Sequence, residues 1–340
     1  MPENDRSNEI ILLSHGDGGL LSRQLLQDYF LRYFKNDLLD QLNDAAVFPV
    51  ARGQMAVCTD AFVVAPIFFP GGDIGKLAVC GTVNDLAVSG AKPSYLTASF
   101  IIEEGFPLAE LERIIVSMAD TGRTAGVQIV AGDTKVVGRG QADKIFITTT
   151  GIGYLLPEAN LGYHRLAPGD KVLINGSLGN HGLTILLARA AMAIENQVIS
   201  DCAPLNLVIA EVLGRFPGVK LMRDLTRGGL ATNAKEIALS SKVDFHLEEE
   251  GMPIDEQVRG ITELLGLDPL YLANEGKFLL VVAPEEAEAL LAFLREDLGQ
   301  GQACCIGEIQ AGKGSVYLKT PLGGHRSLNL LAGAPMPRIC

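Results

Sequence analysis

FPGGDIGKLAVCGTVNDLAVSGA, residues 69–91, predicts a tight turn followed by a helix that is apolar on almost every face. The turn is Pro-Gly-Gly at 70–72, and Asp73 stands where the N-cap of the helix should be. Because its apolar residues are nearly continuous, we expect this helix to be buried on most sides. Asn84 and Asp85 interrupt the run, and a buried carboxylate is costly unless it is paired or binds a metal. A hydrogen bond to a neighbouring turn and a metal site are both open interpretations of this carboxylate.

Hydrophobic periodicity predicts strands and helices that alternate on both sides of this helix. The predicted strands cover residues 42–48, 55–62, 94–102, 127–130, 144–152, 171–175, 243–247, 277–282, 304–309 and 315–318. The other predicted helices cover residues 22–33, capped by Ser22, then 107–125, 183 onward, 205–213, 229–240, 253–265 and 284–294. The first two strands are joined so closely that we expect them to form a hairpin. The turn-rich segment 159–169 is the predicted domain boundary.

The bulk composition is typical of a globular protein with a sizeable core. The chain has 340 residues, is 48% hydrophobic and 20% charged, and carries a formal net charge of −12. This length favours two domains, and the absence of a basic patch argues against nucleic acid as the main ligand. We see no signal peptide and no apolar run long enough to span a membrane. The six cysteines form no CxxC pair, so we expect a reduced, cytoplasmic protein.

Four aspartates of the first half stand beside small residues or near turns: Asp44, Asp60, Asp85 and Asp133. Mg²⁺ is bound by carboxylates together with substrate phosphates, so acids from separate elements suit a magnesium–nucleotide site. Aspartate is also common in turns and caps, so four unrelated structural aspartates is the alternative interpretation.

Two glycine-rich segments are candidate phosphate-binding loops. SHGDGG, residues 14–19, includes Gly18 and Gly19, and RDLTRGG, residues 223–229, precedes a predicted helix. Backbone N–H groups in such loops and at helix N-termini favour an anion, although a plain loop is the simpler interpretation of residues 14–19.

The C-terminal segment, from residue 321 onward, shows no clear periodicity and ends in Pro-Arg-Ile-Cys. About 20 residues reach several tens of Å, and the prolines favour an extended form. Cys340 is therefore expected to be exposed, unlike most cysteines, either as a functional thiol or as an incidental one.

Seven motifs together resemble the HypE family of hydrogenase maturation factors. They are SHGDGG at 14–19, FFPGGDIGKLAVCGTVNDLAVSGA at 68–91, IIEEG at 101–105, AGDTKVV at 131–137, RDLTRGG at 223–229, LLGLDPLYLANEGK at 264–277 and PRIC at 337–340. The resemblance covers nearly the whole chain. AGDTKVV, ANEGK and the terminal PRIC make it specific, whereas the glycine-rich loops alone do not.

The resemblance implies a two-domain PurM-like α/β fold, shared with aminoimidazole ribonucleotide synthetase, selenophosphate synthetase and thiamine monophosphate kinase. The implied divisions are a glycine-rich loop and helix at 1–40, an ATP-binding domain at 41–158, a C-terminal domain at 159–318 and a flexible tail at 319–340. Strands of two subunits would form a shared β-barrel, which gives a homodimer.

The resemblance also implies the activity. HypF, a carbamoyltransferase, would place a carbamoyl group on the thiol of Cys340. ATP-dependent dehydration would then give an S-cyanide for the iron of a nickel–iron hydrogenase, held on a HypC–HypD scaffold. Neither nucleic acid nor a membrane would be a partner.

Site residues are carried over by the same resemblance. Cys340, Lys135 and Glu275 would be catalytic, with Glu275 accepting the N–H proton and Lys135 stabilising negative charge or transferring a proton. Mg²⁺ would be held by Asp44, Asp60, Asp85 and Asp133. ATP would be bound by these aspartates together with Asn84, Gly132 and Lys135. Four weaker candidates for ATP contacts are Gly18, Gly19, Asp224 and Arg227.

Two departures from the family pattern concern single positions. Asn43 precedes Asp44 where many relatives carry paired acids, and Asn180 stands where we expect aspartate, in a loop without an assigned role.

Alternatives to the dehydratase are a small-molecule kinase or synthetase of the same superfamily and a non-enzymatic thiol carrier. Cys340 disfavours the first, and the four aspartates with Lys135 disfavour the second. A metal-storage protein lacks the Cys and His spacing.

Overall fold

A computed structural model describes residues 9–15, 20–39, 53–190, 194 and 197–331. The N-terminal domain contains a four-stranded sheet in the order β1-β6-β4-β5. Only β4 and β5 run parallel, and the other two pairings are antiparallel. The strands are β1 (Met55–Phe62), β2 (Phe68–Phe69), β3 (Gly72–Asp73), β4 (Ala91–Glu103), β5 (Gln128–Val137) and β6 (Ile145–Leu155), with β2 and β3 forming a separate short pair.

The central helix, α3 (Ile74–Val88), packs on one face of this sheet. Thirteen of its fifteen residues are buried, which confirms the prediction that it is covered on most sides. Asp73 is its N-cap, and one carboxylate oxygen accepts hydrogen bonds from the backbone N–H groups of Gly75 (2.7 Å) and Lys76 (3.1 Å). The preceding glycine turn and this cap therefore fix where the helix begins.

The other helices of this domain pack into the same apolar core. They are α1 (Leu20–Leu25), a π-helical turn (Leu26–Phe30), α2 (Leu31–Phe34) and α4 (Leu108–Ala125). Their apolar residues and those of α3 cover one face of the sheet. Along each strand, side chains point alternately to this face and to the opposite face. The side chains on the opposite face are half-buried or exposed in β1 and β4.

The C-terminal domain contains a seven-stranded sheet in the order β13-β12-β9-β11-β7-β10-β8. Its strands are β7 (Lys171–Ile174), β8 (Val219–Asp224), β9 (Val243–Glu248), β10 (Phe278–Val282), β11 (Cys304–Ala311), β12 (Val316–Lys319) and β13 (His325–Ser327). Its helices are α5 (Asn180–Ala190), α6 (Asn206–Arg215), α7 (Gly229–Ser241), α8 (Glu256–Leu265) and α9 (Pro284–Glu296). All five residues of β10 are buried, as its continuous apolar run predicts.

The mixed α/β class with two domains is confirmed, and most predicted elements are present with shifted ends. The predicted Ser22 cap is wrong: the helix begins at Leu20, so Ser22 lies in its first turn. β8 was not predicted, and it pairs with β10 so that Asp224 is its last residue. The predicted strand at 42–48, and with it the hairpin, lies outside the described residues.

Part of the segment expected to be a flexible tail is folded. β13 pairs with β12, and the side chain of Leu328 lies in the core of the C-terminal domain. The packing of this apolar residue explains why the folded part extends beyond residue 319. Among the helices that the structure describes, none is long and apolar enough to cross a membrane.

Gly75→Ala should destabilise the protein by about 1–3 kcal/mol, because a Cβ at Gly75 would lie 2.5 Å from the carbonyl oxygen of Ile114 in α4. Gly260→Ala in α8 is the matched control, since nothing lies within 4 Å of its Cβ position. That change should stabilise the protein by roughly 0.5–1 kcal/mol. Urea unfolding measures both, and equal effects of the two substitutions would contradict the close approach of α3 and α4.

Candidate functional site: a carboxylate cluster between the two domains

Asn84 joins the two domains at the middle of α3. Its side-chain amide donates to the carbonyl oxygens of Ala203 (3.1 Å) and Glu275 (3.3 Å). Its side-chain oxygen accepts a hydrogen bond of 2.8 Å from the backbone N–H of Leu205. The side chain is buried and its polar atoms are engaged by the C-terminal domain. These contacts give Asn84 a structural role, beside the nucleotide contact predicted from the sequence.

Asp85, the next residue of α3, faces Asp60 of β1. One carboxylate oxygen of Asp60 accepts a hydrogen bond of 3.0 Å from the hydroxyl of Thr82, one turn before Asp85. Cys58 lies two residues before Asp60 on the same face of β1, and its thiol donates to the carbonyl oxygen of Thr82 at 3.4 Å. Ligand atoms of Cys58, Asp60 and Asp85 all lie within 4.8 Å of one another.

Asp224 brings a further carboxylate to this cluster from the end of β8. Its side chain is buried, and burial raises its pKa to about 6. Burial, followed by the negative charges of Asp224 and Asp60, raises the pKa of Asp85 to about 7. Arg223 and Arg227 oppose both shifts with their positive charge. Three such carboxylates, none of which forms an ion pair within the described part of the chain, favour a bound cation.

Glu275 lies behind this cluster and is only 3% exposed. One of its carboxylate oxygens has no hydrogen-bond partner among the described residues. Burial raises the pKa of Glu275 well above its ordinary value, and the negative charges of Cys202 and Asp224 act in the same direction. The carboxyl group is therefore neutral in the ligand-free protein and has one oxygen available to a ligand.

Asp201 positions the backbone at Glu275. Its carboxylate accepts hydrogen bonds from the N–H groups of Glu275 (3.3 Å) and Gly276 (3.1 Å), and it lies 3.5 Å from the ammonium group of Lys277. A Cβ at Gly276 would lie 2.0 Å from the carbonyl oxygen of Asp201, so only glycine fits there. These contacts hold the ANEGK segment against the loop that precedes α6.

Asp133 and Lys135 lie elsewhere on the N-terminal sheet. Asp60 and Gly132 occupy the same row of the sheet, three strands apart, or about 14 Å at the usual strand spacing. Because side chains alternate along a strand, Asp133 and Lys135 project from the face opposite to that of Asp60. Both are exposed. A Cβ at Gly132 would lie 2.5 Å from the carbonyl oxygen of Ala98, so the close approach of β4 and β5 requires glycine here.

The structure thus brings together six of the residues predicted from the sequence: Asp60, Asn84, Asp85, Asp224, Arg227 and Glu275. It separates Asp133 and Lys135 from them within one chain. Asp44, Gly18, Gly19 and Cys340 lie outside the described residues.

Three residues of the site were missed by sequence reasoning: Cys58, Asp201 and Lys277. The two-residue spacing of Cys58 and Asp60 on a predicted strand was a usable signal for a shared face. No local pattern indicates that Asp201 and Lys277 meet, because they lie 76 positions apart along the chain.

The loop with Asn180 also gains a role. The side-chain amide of Asn180 donates a hydrogen bond of 2.7 Å to a carboxylate oxygen of Asp255. The backbone N–H of Gly179 donates one of 2.7 Å to the side-chain oxygen of Asn274. The loop therefore fixes α8 and the residue before Glu275.

Comparison with known proteins places this site in a family. Residues 42–155 match the family model "AIR synthase related protein, N-terminal domain", and residues 167–319 match the corresponding C-terminal domain. The carbamoyl dehydratase HypE of Azotobacter vinelandii is 46% identical over 100% of both chains. The chain belongs to the HypE family.

Solved structures of the family agree with the fold. A crystal structure of HypE in complex with ATP has a TM-score of 0.93 at 48% identity, and the match covers 97% of this chain and 99% of that one. A crystal structure of a HypE–HypF complex has a TM-score of 0.80 at 44% identity, with 90% of this chain and 99% of the HypE chain covered. The PurM-like fold expected for the HypE family is therefore present.

Glu275→Gln should raise the free energy of unfolding of the ligand-free protein increasingly as the pH rises above about 4.5, the ordinary pKa. Above that pH the unfolded chain releases a proton that the folded protein retains, so the wild type loses stability and the amide does not. Urea unfolding from pH 4 to pH 8 measures the difference, and a difference that does not vary with pH would contradict the raised pKa.

Glu308→Gln is the control of opposite sign. A hydrogen bond from Lys171 lowers the pKa of Glu308. At pH values above its ordinary pKa, this ionised carboxylate therefore stabilises the protein. The stabilisation is lost as the pH falls through the lowered pKa of the folded protein. Its replacement should cost stability at neutral pH only.

Proposed function

We propose that this protein is an ATP-dependent carbamoyl dehydratase. It converts a carbamoyl group on the Cys340 thiol into a thiocyanate, which supplies the cyanide ligand for the iron of a nickel–iron hydrogenase. The observation that carries this proposal is the 46% identity to a carbamoyl dehydratase HypE over the full length of both chains. The carboxylate cluster between the domains, in which Asp60 and Asp85 are half-buried and Asp224 is buried, supports it.

The reaction needs a leaving group. The carbamoyl oxygen is a poor one, so it first attacks the γ-phosphorus of ATP and releases ADP. Phosphate then departs with that oxygen, and the nitrogen loses both of its hydrogens as the C≡N bond forms. The net change is loss of one water from the carbamoyl group at the cost of one ATP.

The donor set of the cluster fits Mg²⁺, which prefers carboxylate oxygens and retains substrate phosphates as ligands. Asp60 and Asp85 would hold it, together with Asp44 and with Asp133 of a second copy. When bound, it neutralises phosphate charge during transfer. The orphaned oxygen of Glu275 and the raised pKa values of Asp85 and Asp224 support a site built to receive a cation.

Glu275 acts as a neutral carboxyl group. Its carbonyl oxygen accepts the N–H hydrogen of the phosphorylated carboxamide, while its own O–H proton goes to the departing phosphate. This role fits its burial, since an ionised carboxylate would be strongly disfavoured there. Burial also excludes water, which would otherwise compete for the phosphoryl group.

Lys135 and Asp133 join this site from a second copy of the chain. Within one chain they project from the sheet face opposite to Asp60. That outer face also exposes apolar side chains, including Met55 (53% exposed), Val57 (58%) and Ile101 (41%). Exposed apolar side chains on one face of a sheet are typical of a protein interface. Two such sheets packed face to face form the β-barrel of a homodimer.

HypF is the proposed donor of the carbamoyl group, since a HypE of the same family forms a complex with HypF. The HypC–HypD scaffold is the proposed acceptor of the cyanide. The tail would present Cys340 to HypF at the protein surface and would then carry it to the carboxylate cluster between the domains.

The deciding experiment measures the mass of the C-terminal peptide after incubation with the carbamoyltransferase and its substrates, then with Mg-ATP. We expect a carbamoyl adduct on Cys340 that loses one water only when ATP is added. An unmodified peptide with continued ATP hydrolysis would favour a small-molecule kinase. An adduct that never dehydrates would make the chain a thiol carrier.

Glu275→Gln should slow dehydration by roughly 10²–10⁴-fold, because it removes proton transfer. Lys135→Ala should slow it by roughly 10²–10³-fold through loss of charge stabilisation. Rates of water loss from the preformed adduct measure both. Glu248→Gln and Lys319→Ala, on exposed positions of strands in the C-terminal domain, are the matched controls, and equal losses in controls and variants would contradict these roles.

Val57→Asp should convert the homodimer into monomers, because it places a charge in the centre of the proposed sheet interface. Leu264→Asp is the control: Leu264 is 73% exposed, but on α8 of the other domain. Sedimentation velocity separates the outcomes. A wild type that is monomeric at all concentrations would refute the dimer.

A further inference from the structure

The Cys58 thiol is a component of the carboxylate cluster that the proposed reaction leaves unused. Its sulfur, one Asp60 oxygen and one Asp85 oxygen lie within 4.8 Å of one another. Around one zinc ion, sulfur and oxygen ligands lie about 3.5 Å apart, given metal bonds of about 2.3 and 2.1 Å. Small side-chain rotations would therefore bring all three atoms onto one cation. Mg²⁺, a hard cation, uses the oxygens alone.

Two buried groups next to these three residues indicate that a cation belongs there. Asp224 is 6% exposed, and its charge acts on both Asp60 and Asp85. One oxygen of Glu275 is buried without a hydrogen-bond partner among the described residues, and the charges of Asp224 and Asp85 act on this carboxyl group. In the described part of the chain, no ion pair involves Asp60, Asp85, Asp224 or Glu275.

We propose that Cys58, Asp60 and Asp85 form a site for a thiophilic divalent cation of the zinc, cobalt and cadmium class. On binding, the Cys58 S–H bond breaks, its proton goes to solvent and a sulfur–metal bond forms, with no change of oxidation state. The inference rests on the proposed function in that the same two carboxylates serve Mg²⁺. The cluster therefore accepts two classes of cation, and the thiol decides between them.

The first test titrates the metal-free, full-length protein with cobalt chloride in the absence of ATP. We expect a cobalt–thiolate charge-transfer band that saturates with cobalt and persists in Cys305→Ser and Cys340→Ser. Cys58→Ser should abolish the band and weaken cobalt binding by at least roughly tenfold. A band that survives Cys58→Ser, or that disappears in either control, would overturn the proposal.

The second test needs no variant and so does not depend on the folding of Cys58→Ser. Iodoacetamide labelling of the wild type is followed by peptide mapping, with and without cadmium chloride. Cadmium should slow alkylation of Cys58 by at least roughly tenfold and leave the exposed Cys305 unchanged, whereas magnesium chloride should slow neither. An alkylation rate of Cys58 that does not change when cadmium is added would refute the site.

These readouts separate the two proposals. A cobalt–thiolate band on Cys58 in a protein that never dehydrates its carbamoyl adduct would refute the reaction and support the cation site. Dehydration with Mg-ATP in a protein that gives no such band would refute the cation site and leave the reaction standing.

Discussion

Asp85 is half-buried on a helix whose other residues, apart from Lys76, are all buried, so the fold has to accommodate a carboxylate that is largely removed from water. Desolvation makes an isolated buried charge prohibitively costly. The chain surrounds it with Asp60, Asp224 and Glu275, which makes the cost larger rather than smaller. Such an arrangement is stable as a set of partly protonated carboxyl groups, and it becomes favourable in the ionised form when a cation is present.

The same helix determines how the two domains meet. Asn84 directs its hydrogen bonds to the loop before α6 and to the backbone of Glu275. Asp201 holds that backbone from the other side. A residue adjacent to the proposed cation site therefore also fixes the position of the proposed proton-transfer group. This explains how carboxylates far apart in the chain reach one location with defined geometry.

The proposed site includes two residues, Asp133 and Lys135, that one chain does not bring to the carboxylate cluster. Asp133 and Lys135 lie on β5 beside Gly132, which occupies the same row of the sheet as Asp60. Their side chains nevertheless project from the face opposite to that of Asp60. That face exposes apolar side chains of β1 and β4. In the proposed homodimer, a second copy would cover these side chains and would supply Asp133 and Lys135, so one contact would serve both the packing and the chemistry.

Local sequence patterns are sufficient to predict several elements of this fold. β1, the capped helix α3 and the strongly apolar β10 follow from alternation, the Asp73 cap and a continuous apolar run, because these depend only on neighbouring residues. The family motifs likewise identified most residues of the candidate site. The sequence did not predict β8 or β13, since short strands depend on distant partners. Three-dimensional packing alone brings Asp60 and Asp85 to Asp224 and Cys58, and it directs Asp133 and Lys135 to the opposite face of the sheet. Strand register and domain packing set these relations, and neither is encoded by spacing along the chain.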